Sequence, residues 1–329
     1  MKRFLPFFLC VLAATVCRAE ILAVNEDNSH FFGGRLPEDM TLEGLQAFVD
    51  HYADTGVTHL FLCPNAQRAS YLSPVRGAIW ENIPQNAGFH SAWPQNAKLL
   101  HERGLDPYKI WLERCREKGI SGWLSVRMND IHNADDPTNF QHCNFWREHP
   151  EFHRNPSGKS WFDHALNFAH PEVRAFSLAY LREVLERYDM DGLELDWMRF
   201  GQHLTPGRES AEAPILTDFM REVRELVTEF EKVRGHRILI SVRVPTVPES
   251  ADGLGMRAGD WAQAGYVDWI VPAPHWSSTD FDIPIETWKE IVQGAPRPVK
   301  IIPCSELNMR SDPRFEQVPM DYAQPRSAA

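Results

Sequence analysis

The sequence has 329 residues and a formal net charge of −11, with 34 lysines and arginines against 45 aspartates and glutamates. Nucleic acids and anionic membranes bind through neutralising lysine and arginine side chains, so this acidic balance argues against both kinds of partner. After the first twenty residues, no stretch of the sequence is apolar over the length that a membrane helix needs.

The first nineteen residues have the three-part layout of a secretory signal peptide. Two basic residues precede the apolar run FLPFFLCVLAATV, and the small residue Ala19 stands at the cleavage site. We predict a signal peptide over residues 1–19, a mature chain over 20–329, and a secreted or periplasmic location. An uncleaved membrane anchor is the alternative. Cleavage removes three positive charges and no acids, which changes the net charge to about −14.

Four of the six cysteines follow the predicted signal peptide, at Cys63, Cys115, Cys143 and Cys304. Their spacing includes no Cys-x-x-Cys metal motif, so we predict mostly buried free thiols, with a disulfide as the alternative. His149 and His153 have a spacing that zinc ligands use, but no third ligand is evident. We predict no metal and no cofactor. The oligomeric state is left open.

Short apolar strands alternate with amphipathic helices along the mature chain. Helix 41–56 begins at an N-cap threonine, helix 106–119 ends at a glycine, and helix 170–188 has Pro171 in its first turn. This alternation predicts a parallel sheet with helical crossovers. The predicted strands are residues 21–25, 57–63, 121–128, 191–197, 238–244, 267–273 and 299–304.

The pattern favours a (β/α)8 TIM barrel over a doubly wound sheet, because no glycine-rich phosphate loop follows any strand. Residues 64–105 and 129–169 interrupt the pattern on the side where a barrel builds its active site. We expect them to be long loops, either lids and subsite walls or structural additions. Only seven strands are visible, and DYAQPRSAA (321–329) looks like the first turn of a crossover helix. We therefore expect a barrel truncated before strand eight.

The fourth strand carries two carboxylates on one face. Side chains alternate along a strand, so Gly192, Glu194 and Asp196 share a face, and the apolar opposite face must meet the helices. Burying two like charges is costly unless they are paired or lie at a wet barrel mouth. We predict that Asp196 is catalytic and that Glu194 supports it by orienting Arg127 or Arg243. The alternative is an interior ion-pair network without a catalytic role.

Polar side chains at the other strand ends are expected to converge on the same mouth. Glycoside hydrolysis needs one carboxyl group to protonate the leaving oxygen and another as nucleophile or base. Asp196 and Glu306, from strands four and seven, are the predicted pair, and Asp130 is expected to help orient it. The predicted substrate-binding residues are Asn25, Asn65, Arg68, Arg127, Asp130, His132, Arg243, His275 and Trp276.

Eleven tryptophans favour a sugar ligand, because aromatic faces stack on pyranose rings. Those in or after the long loops are the candidates for stacking, and those on helices and strand backs are expected in the core. The first group is Trp80, Trp93, Trp146, Trp161 and Trp276, and the second is Trp111, Trp197 and Trp288.

The run HPEVRAFSLAYLREVLERYDMDGLELDWMRF resembles the central segment of the glycosyl-hydrolase-like family 10 proteins, where a P-E-V-R helix leads into an R-Y-D-x-D-G-I-x-x-D strand. NAQRASY, SVRMNDIHN and PHWSSTDFDIPIE resemble further segments of exported bacterial glycosyl hydrolases of this type. The resemblance implies a (β/α)8 barrel that acts on carbohydrate. It matches Asp191, Gly192 and Asp196 to the motif of the family.

The fourth strand also resembles the D-G-x-D-x-D-x-E strand of family 18 chitinases. Asp191, Glu194 and Asp196 align with its acids, but Met198 stands where that family has its catalytic glutamate. A chitinase of that mechanism is therefore not expected. The predicted function is an exported glycoside hydrolase with a carbohydrate substrate. A non-catalytic carbohydrate-binding barrel is the alternative, and a metal-assisted hydrolase is a further one.

Overall fold

The computed structural model describes residues 21–82, 89–275, 282–309, 316 and 318–319. The predicted signal peptide at 1–19, the predicted helix start at 321–329 and Trp276 lie outside the described residues. Within the described part, no helix has the length and apolar character needed to cross a membrane.

Seven parallel strands form one sheet in which every strand pairs with its neighbours in chain order. This sequential order is that of a barrel, whereas in a doubly wound sheet the order of the strands reverses at a switch point. A short antiparallel pair, β8 and β9, follows the sheet. The strands are β1 (Ala23–Glu26), β2 (His59–Leu62), β3 (Ser121–Arg127), β4 (Gly192–Asp196), β5 (Leu239–Pro245), β6 (Trp269–Ala273), β7 (Lys300–Ile301), β8 (Asn308–Met309) and β9 (Val318–Pro319).

Helices connect the strands and cover the outside of the sheet. Thr41 accepts a hydrogen bond from the Gly44 amide at 3.1 Å and so caps α2, as predicted, but this helix ends at Asp50 rather than at Gly56. The helices are α1 (His30–Gly34), α2 (Leu42–Asp50), α3 (Phe89–Glu102), α4 (Pro107–Glu117), α5 (Asn144–Glu148), α6 (Pro171–Arg187), α7 (Glu209–Arg234), α8 (Pro248–Gly253), α9 (Ala258–Gln263) and α10 (Ile285–Ile291).

The sheet curls until side chains of non-adjacent strands meet inside it. The rings of His59 on β2 and Trp269 on β6 have centroids 5.0 Å apart. Asn25 on β1 donates to Glu194 on β4 at 2.8 Å. The described part of the chain is thus a (β/α)8-type barrel with seven of its strands in place, which confirms the predicted fold class.

The two long insertions follow β2 and β3, as predicted, and they contain helices. Residues 64–105 contain a 3-10 helix (Ile79–Asn82) and α3, and residues 129–169 contain α5. Pro94 lies inside α3 and removes one backbone donor, so the segment lacks the usual signature of a helix. Trp93 and Trp146 are buried and pack the insertions onto the core, so they do not face a sugar.

The predicted core tryptophans Trp111, Trp197 and Trp288 are all buried, which confirms their assignment. The four cysteines of the described residues are free thiols, three of them buried and Cys304 partly exposed. Free thiols were the favoured prediction, and the disulfide alternative is excluded for these four.

Candidate functional site

The interior of the barrel is built in three layers, because β3, β4 and β5 pair in register. Moving up the strands by two residues at a time changes the side chains from mostly apolar, to a glutamate between two serines, to three charged groups. The lower layer is Trp123, Gly192 and Leu239, the middle layer is Ser125, Glu194 and Ser241, and the upper layer is Arg127, Asp196 and Arg243.

Glu194 occupies the middle layer and is fully enclosed. Its Oε1 accepts from Asn25 at 2.8 Å and from Ser125 at 2.7 Å, and its Oε2 accepts from Ser241 at 3.1 Å. Burial and the charge of Asp196 raise the pKa of Glu194 to about 7. The predicted partners were arginines, whereas the observed hydrogen bonds come from an amide and two hydroxyls. Small hydroxyl residues carried no functional signal in the sequence.

Asp196 in the upper layer is buried and held from two sides. Its Oδ1 accepts the backbone amides of Met198 at 2.9 Å and Arg199 at 3.0 Å. Its Oδ2 lies 3.4 Å from Nη1 of Arg243. These contacts fix the direction of the carboxylate at the C-terminal end of β4, where barrel enzymes carry their catalytic groups.

Arg243 joins the two carboxylates that the sequence analysis paired. While Nη1 faces Asp196, Nη2 donates to Oε1 of Glu306 at 3.0 Å. Glu306 belongs to the segment after β7 and is more exposed than Asp196. The predicted pair is thus brought together around one guanidinium.

A second charged network borders the upper layer. Arg127 binds Asp27 at 2.5 Å through Nη2 and Asp130 at 2.9 Å through Nη1. Nδ1 of His132 lies 2.7 Å from Asp130, and Nη2 of Arg199 lies 2.9 Å from the other ring nitrogen. A guanidinium can only donate, so Nε2 of His132 is the acceptor and Nδ1 carries the proton.

Burial would raise the pKa of Asp130, but His132 and Arg127 outweigh it and hold that pKa well below its usual range. The same balance, with Arg127 and Arg199 as the cations, lowers the pKa of Asp27. Both acids are therefore ionised at neutral pH and fix the directions of Arg127, Arg199 and His132.

Two predicted substrate-binding residues have structural contacts instead. The side-chain amide of Asn65 pairs with the backbone of Arg127, donating to its carbonyl at 3.1 Å and accepting from its amide at 3.3 Å. Arg68 is only 1% exposed and lies among the insertions, beside Asn144 at 3.2 Å and Glu81 at 3.3 Å. Sequence position after a strand end did not distinguish these roles.

His275 is exposed and lies close enough to Glu306, Arg199 and Arg243 to interact with their charges. Its ring centroid is 6.3 Å from that of Phe162, which belongs to the second insertion. His275 therefore borders the mouth, and its role in substrate binding stays a prediction.

Two residues of this site were missing from the predicted set. Arg199 lies in the same DGLELDWMRF stretch as Asp196, and Asp27 directly follows β1. Their only sequence signal is a charge just beyond a strand end. Arg199 lies 3.6 Å from Asp27 and keeps about a quarter of its side chain exposed.

Among the residues with described positions, no group of three or more His, Cys, Asp or Glu side chains is arranged to hold a metal ion. The two histidines with zinc-like spacing have other contacts. His149 faces Glu151 at 2.9 Å, and His153 is buried with Nε2 3.0 Å from the carbonyl of Trp146.

No protein-family model matches the chain. Over 170 residues the chain is 26% identical to the 1,4-alpha-glucan branching enzyme of Corynebacterium efficiens. That segment is 50% of this chain and 20% of the enzyme, so the chain spans about a fifth of this curated relative.

Solved structures similar to this chain are glycoside hydrolases and related proteins. An alpha-amylase from Lactobacillus plantarum shares 15% identity at a TM-score of 0.45, with 84% of this chain and 56% of that chain covered. The galactosidase domain of AgaSK shares 13% sequence identity at a TM-score of 0.48, with 95% of this chain and 37% of that chain covered. A family 18 N-acetylglucosaminidase from Paenibacillus barengoltzii shares 13% sequence identity at a TM-score of 0.37, with 77% of this chain and 52% of that chain covered. None of these similarities assigns the chain to family 10 or to another family.

Proposed function

We propose that the protein is an exported glycoside hydrolase, similar to family 10-type proteins, that cleaves O-glycosidic bonds of a poly- or oligosaccharide. The observation that carries this proposal is the placement of Asp196 and Glu306 on two nitrogens of one guanidinium at the barrel mouth. Hydrolysis of a glycosidic bond requires two carboxyl groups that flank it. Asp196 and Glu306 offer two such groups at the end of the barrel where these enzymes act, which supports the proposal.

The surroundings of the two carboxyl groups suggest their roles. Asp196 is fixed by two backbone amides and by Arg243, which suits a nucleophile or a base that must keep one direction. Glu306 is more exposed, so a substrate can reach it, and it would be the second carboxyl group of the pair. Arg199 and His275, which border the mouth, would bind sugar hydroxyls.

The Asp196→Asn substitution tests the proposal. It keeps the shape of the side chain but removes the charge, so we expect turnover to fall by about 10²–10⁴-fold. The measurement is reducing-sugar release from a panel of plant, algal and host polysaccharides, with thermal unfolding followed in parallel. An Asp196→Asn variant that hydrolyses as fast as the wild type contradicts the assignment.

Asp191→Asn is the matched control, at the residue that directly precedes β4. Asp191 lies at the opposite end of β4, where it accepts from Ser121 at 2.9 Å and from the Gly122 amide at 3.2 Å. Its substitution should lower stability without changing the turnover of the folded protein. Equal loss of turnover in both variants would indicate a general structural effect.

A carbohydrate-binding barrel without catalysis is the second candidate. It is favoured by the engagement of both Asp196 oxygens, which leaves this carboxylate with neighbours on each side. Retention of the wild type on glycans without any sugar release would support this candidate over the hydrolase.

A further inference from the structure

A second cleft lies on the outside of the barrel. It has a volume of about 180 Å³ and lies between the first insertion, the start of α4 and the end of α6. None of the residues that line it belongs to the upper layer of the barrel. Drug-sized ligand sites measure about 300–1,000 Å³, so this cleft fits a single ring-sized unit.

One wall of this outer cleft is aromatic. The indole of Trp80 is half-buried and stacks on the exposed ring of His101, with centroids 5.2 Å apart and planes 25° apart. The stack holds the indole in one plane. A fixed aromatic surface of this kind suits a flat, weakly polar ligand face, and the C–H face of a pyranose is one.

Another part of the lining is polar and held by several contacts. Nε of Arg187 donates to Asp106 at 2.9 Å, and its Nη2 lies 2.8 Å from the same carboxylate. The guanidinium carbon of Arg187 also lies 4.7 Å from the centroid of the Tyr71 ring. This pair presents donors and acceptors side by side, which is the arrangement that recognises neighbouring hydroxyl groups.

A tight turn lies at the rim of the cleft. Gly104 has a φ of +70°, a conformation that favours glycine, and a side chain there would enter empty space. This turn ends α3 and leads to Asp106, which caps α4 by accepting from the Lys109 amide at 3.3 Å. Trp80 lies in the 3-10 helix Ile79–Asn82 and Arg187 ends α6, so both sides of the cleft belong to regular elements of the fold.

We propose that this outer cleft is a second carbohydrate-binding site, which holds one sugar unit of a glycan chain between Trp80 and the Arg187–Asp106 pair. The net charge of −11 opposes an anionic ligand such as a nucleotide. The site would hold a polysaccharide near the enzyme while the barrel mouth acts on another part of the chain.

The test is affinity gel electrophoresis of the full chain in gels that contain amylopectin, xylan or laminarin. All proteins carry Asp196→Asn, so retention reports binding without turnover, and this proposal can fail separately from that of hydrolysis. The parent should be retained on at least one polysaccharide. Trp80→Ala should weaken the apparent affinity for it by about tenfold.

Leu36→Ala removes another exposed apolar side chain outside the cleft and should leave retention unchanged. Arg187→Gln alters the polar part of the lining and should weaken retention in the same gels, which keeps the test valid if Trp80→Ala fails to fold in thermal melting. Equal retention of the folded Trp80→Ala or Arg187→Gln variants and the parent would overturn the proposal. So would a parent that none of the three polysaccharides retains.

Discussion

The lower and upper layers of the barrel interior are built on the same three strands, but the lower layer is apolar and the upper layer is charged. Trp123 and Arg127 lie on the same face of β3, four residues apart. Trp123 packs against aromatic rings, whereas Arg127 binds the carboxylates of Asp27 and Asp130. In the lower layer Trp123 stacks on Phe61 at 4.8 Å and meets Trp269 at 4.6 Å. These three rings form an aromatic cluster in the lower layer, below the polar and charged layers.

The comparison separates the sources of stability and of chemistry. Apolar burial in the lower layer contributes free energy of folding, since large aromatic side chains remove much area from water. The upper layer buries charges, which costs free energy unless each charge has a partner. Arg243 and Arg127 supply those partners, so the upper layer is tolerated because the lower layer stabilises the same strands.

Trp123→Ala should have the largest effect on stability. Removing a fully buried indole leaves a cavity between Phe61 and Trp269, and the free energy of unfolding should fall by about 3–5 kcal/mol. Urea unfolding at pH 7 measures this change. Trp161→Ala, at a tryptophan that is 38% exposed, is the matched control and should cost much less. Equal losses would show that the lower layer is not a tightly packed cluster.

Glu194 in the middle layer lies between the apolar and the charged layers, and the pH dependence of stability tests its ionisation. Because the pKa of Glu194 is raised to about 7 from 4.5, the folded state holds its proton where the unfolded state has lost it. The contribution of Glu194 to stability is therefore intact below pH 4.5, decreases as pH rises towards 7, and is constant above. The total loss is on the order of 3 kcal/mol.

Glu194→Gln removes this titration while keeping an oxygen for Asn25 and Ser125. The variant should gain stability relative to the wild type between pH 4.5 and 7, and the difference should level off above pH 7. Urea unfolding across that range is the measurement, with Glu113→Gln on the exposed face of α4 as the control. A difference that stays flat with pH would mean that Glu194 ionises normally in the folded protein.

The sequence was sufficient to predict which face of β4 carries its acids, because strand periodicity depends only on local geometry. It also paired Asp196 with Glu306, since both follow the rule that polar groups collect at the C-terminal ends of barrel strands. The neighbours of Glu194 could not be predicted in the same way. Ser125 and Ser241 reach it because β3, β4 and β5 pair in register, and register is set by contacts across the sheet.

Burial explains the other differences from the predictions. Trp93 and Arg68 lie in an insertion that was expected to line the site, but both are buried within it. The sequence does not show that this insertion contains a helix interrupted by Pro94 and folds against the core. The burial of such residues depends on long-range contacts, so local sequence patterns could not predict it.

Gly192→Ala should have a smaller effect, and it tests how closely the two chemistries are packed. A Cβ at this position would lie 2.3 Å from Cδ2 of Trp123, so the indole or the strand must shift. We expect a loss of about 1–3 kcal/mol in urea unfolding, which is typical of overpacking. Gly253→Ala on α8, where nothing lies within 4 Å, is the matched control and should be neutral or stabilising.

The double variant Trp123→Ala/Gly192→Ala identifies the cause of that loss. If the clash with the indole is responsible, Gly192→Ala should cost almost no unfolding free energy in the Trp123→Ala background. The losses of the two single variants should then not add. Additive losses would instead place the strain in β4 itself. In that case Asp196, two side-chain positions above Gly192, would move with the strand, and turnover by the Gly192→Ala single variant should fall together with its stability.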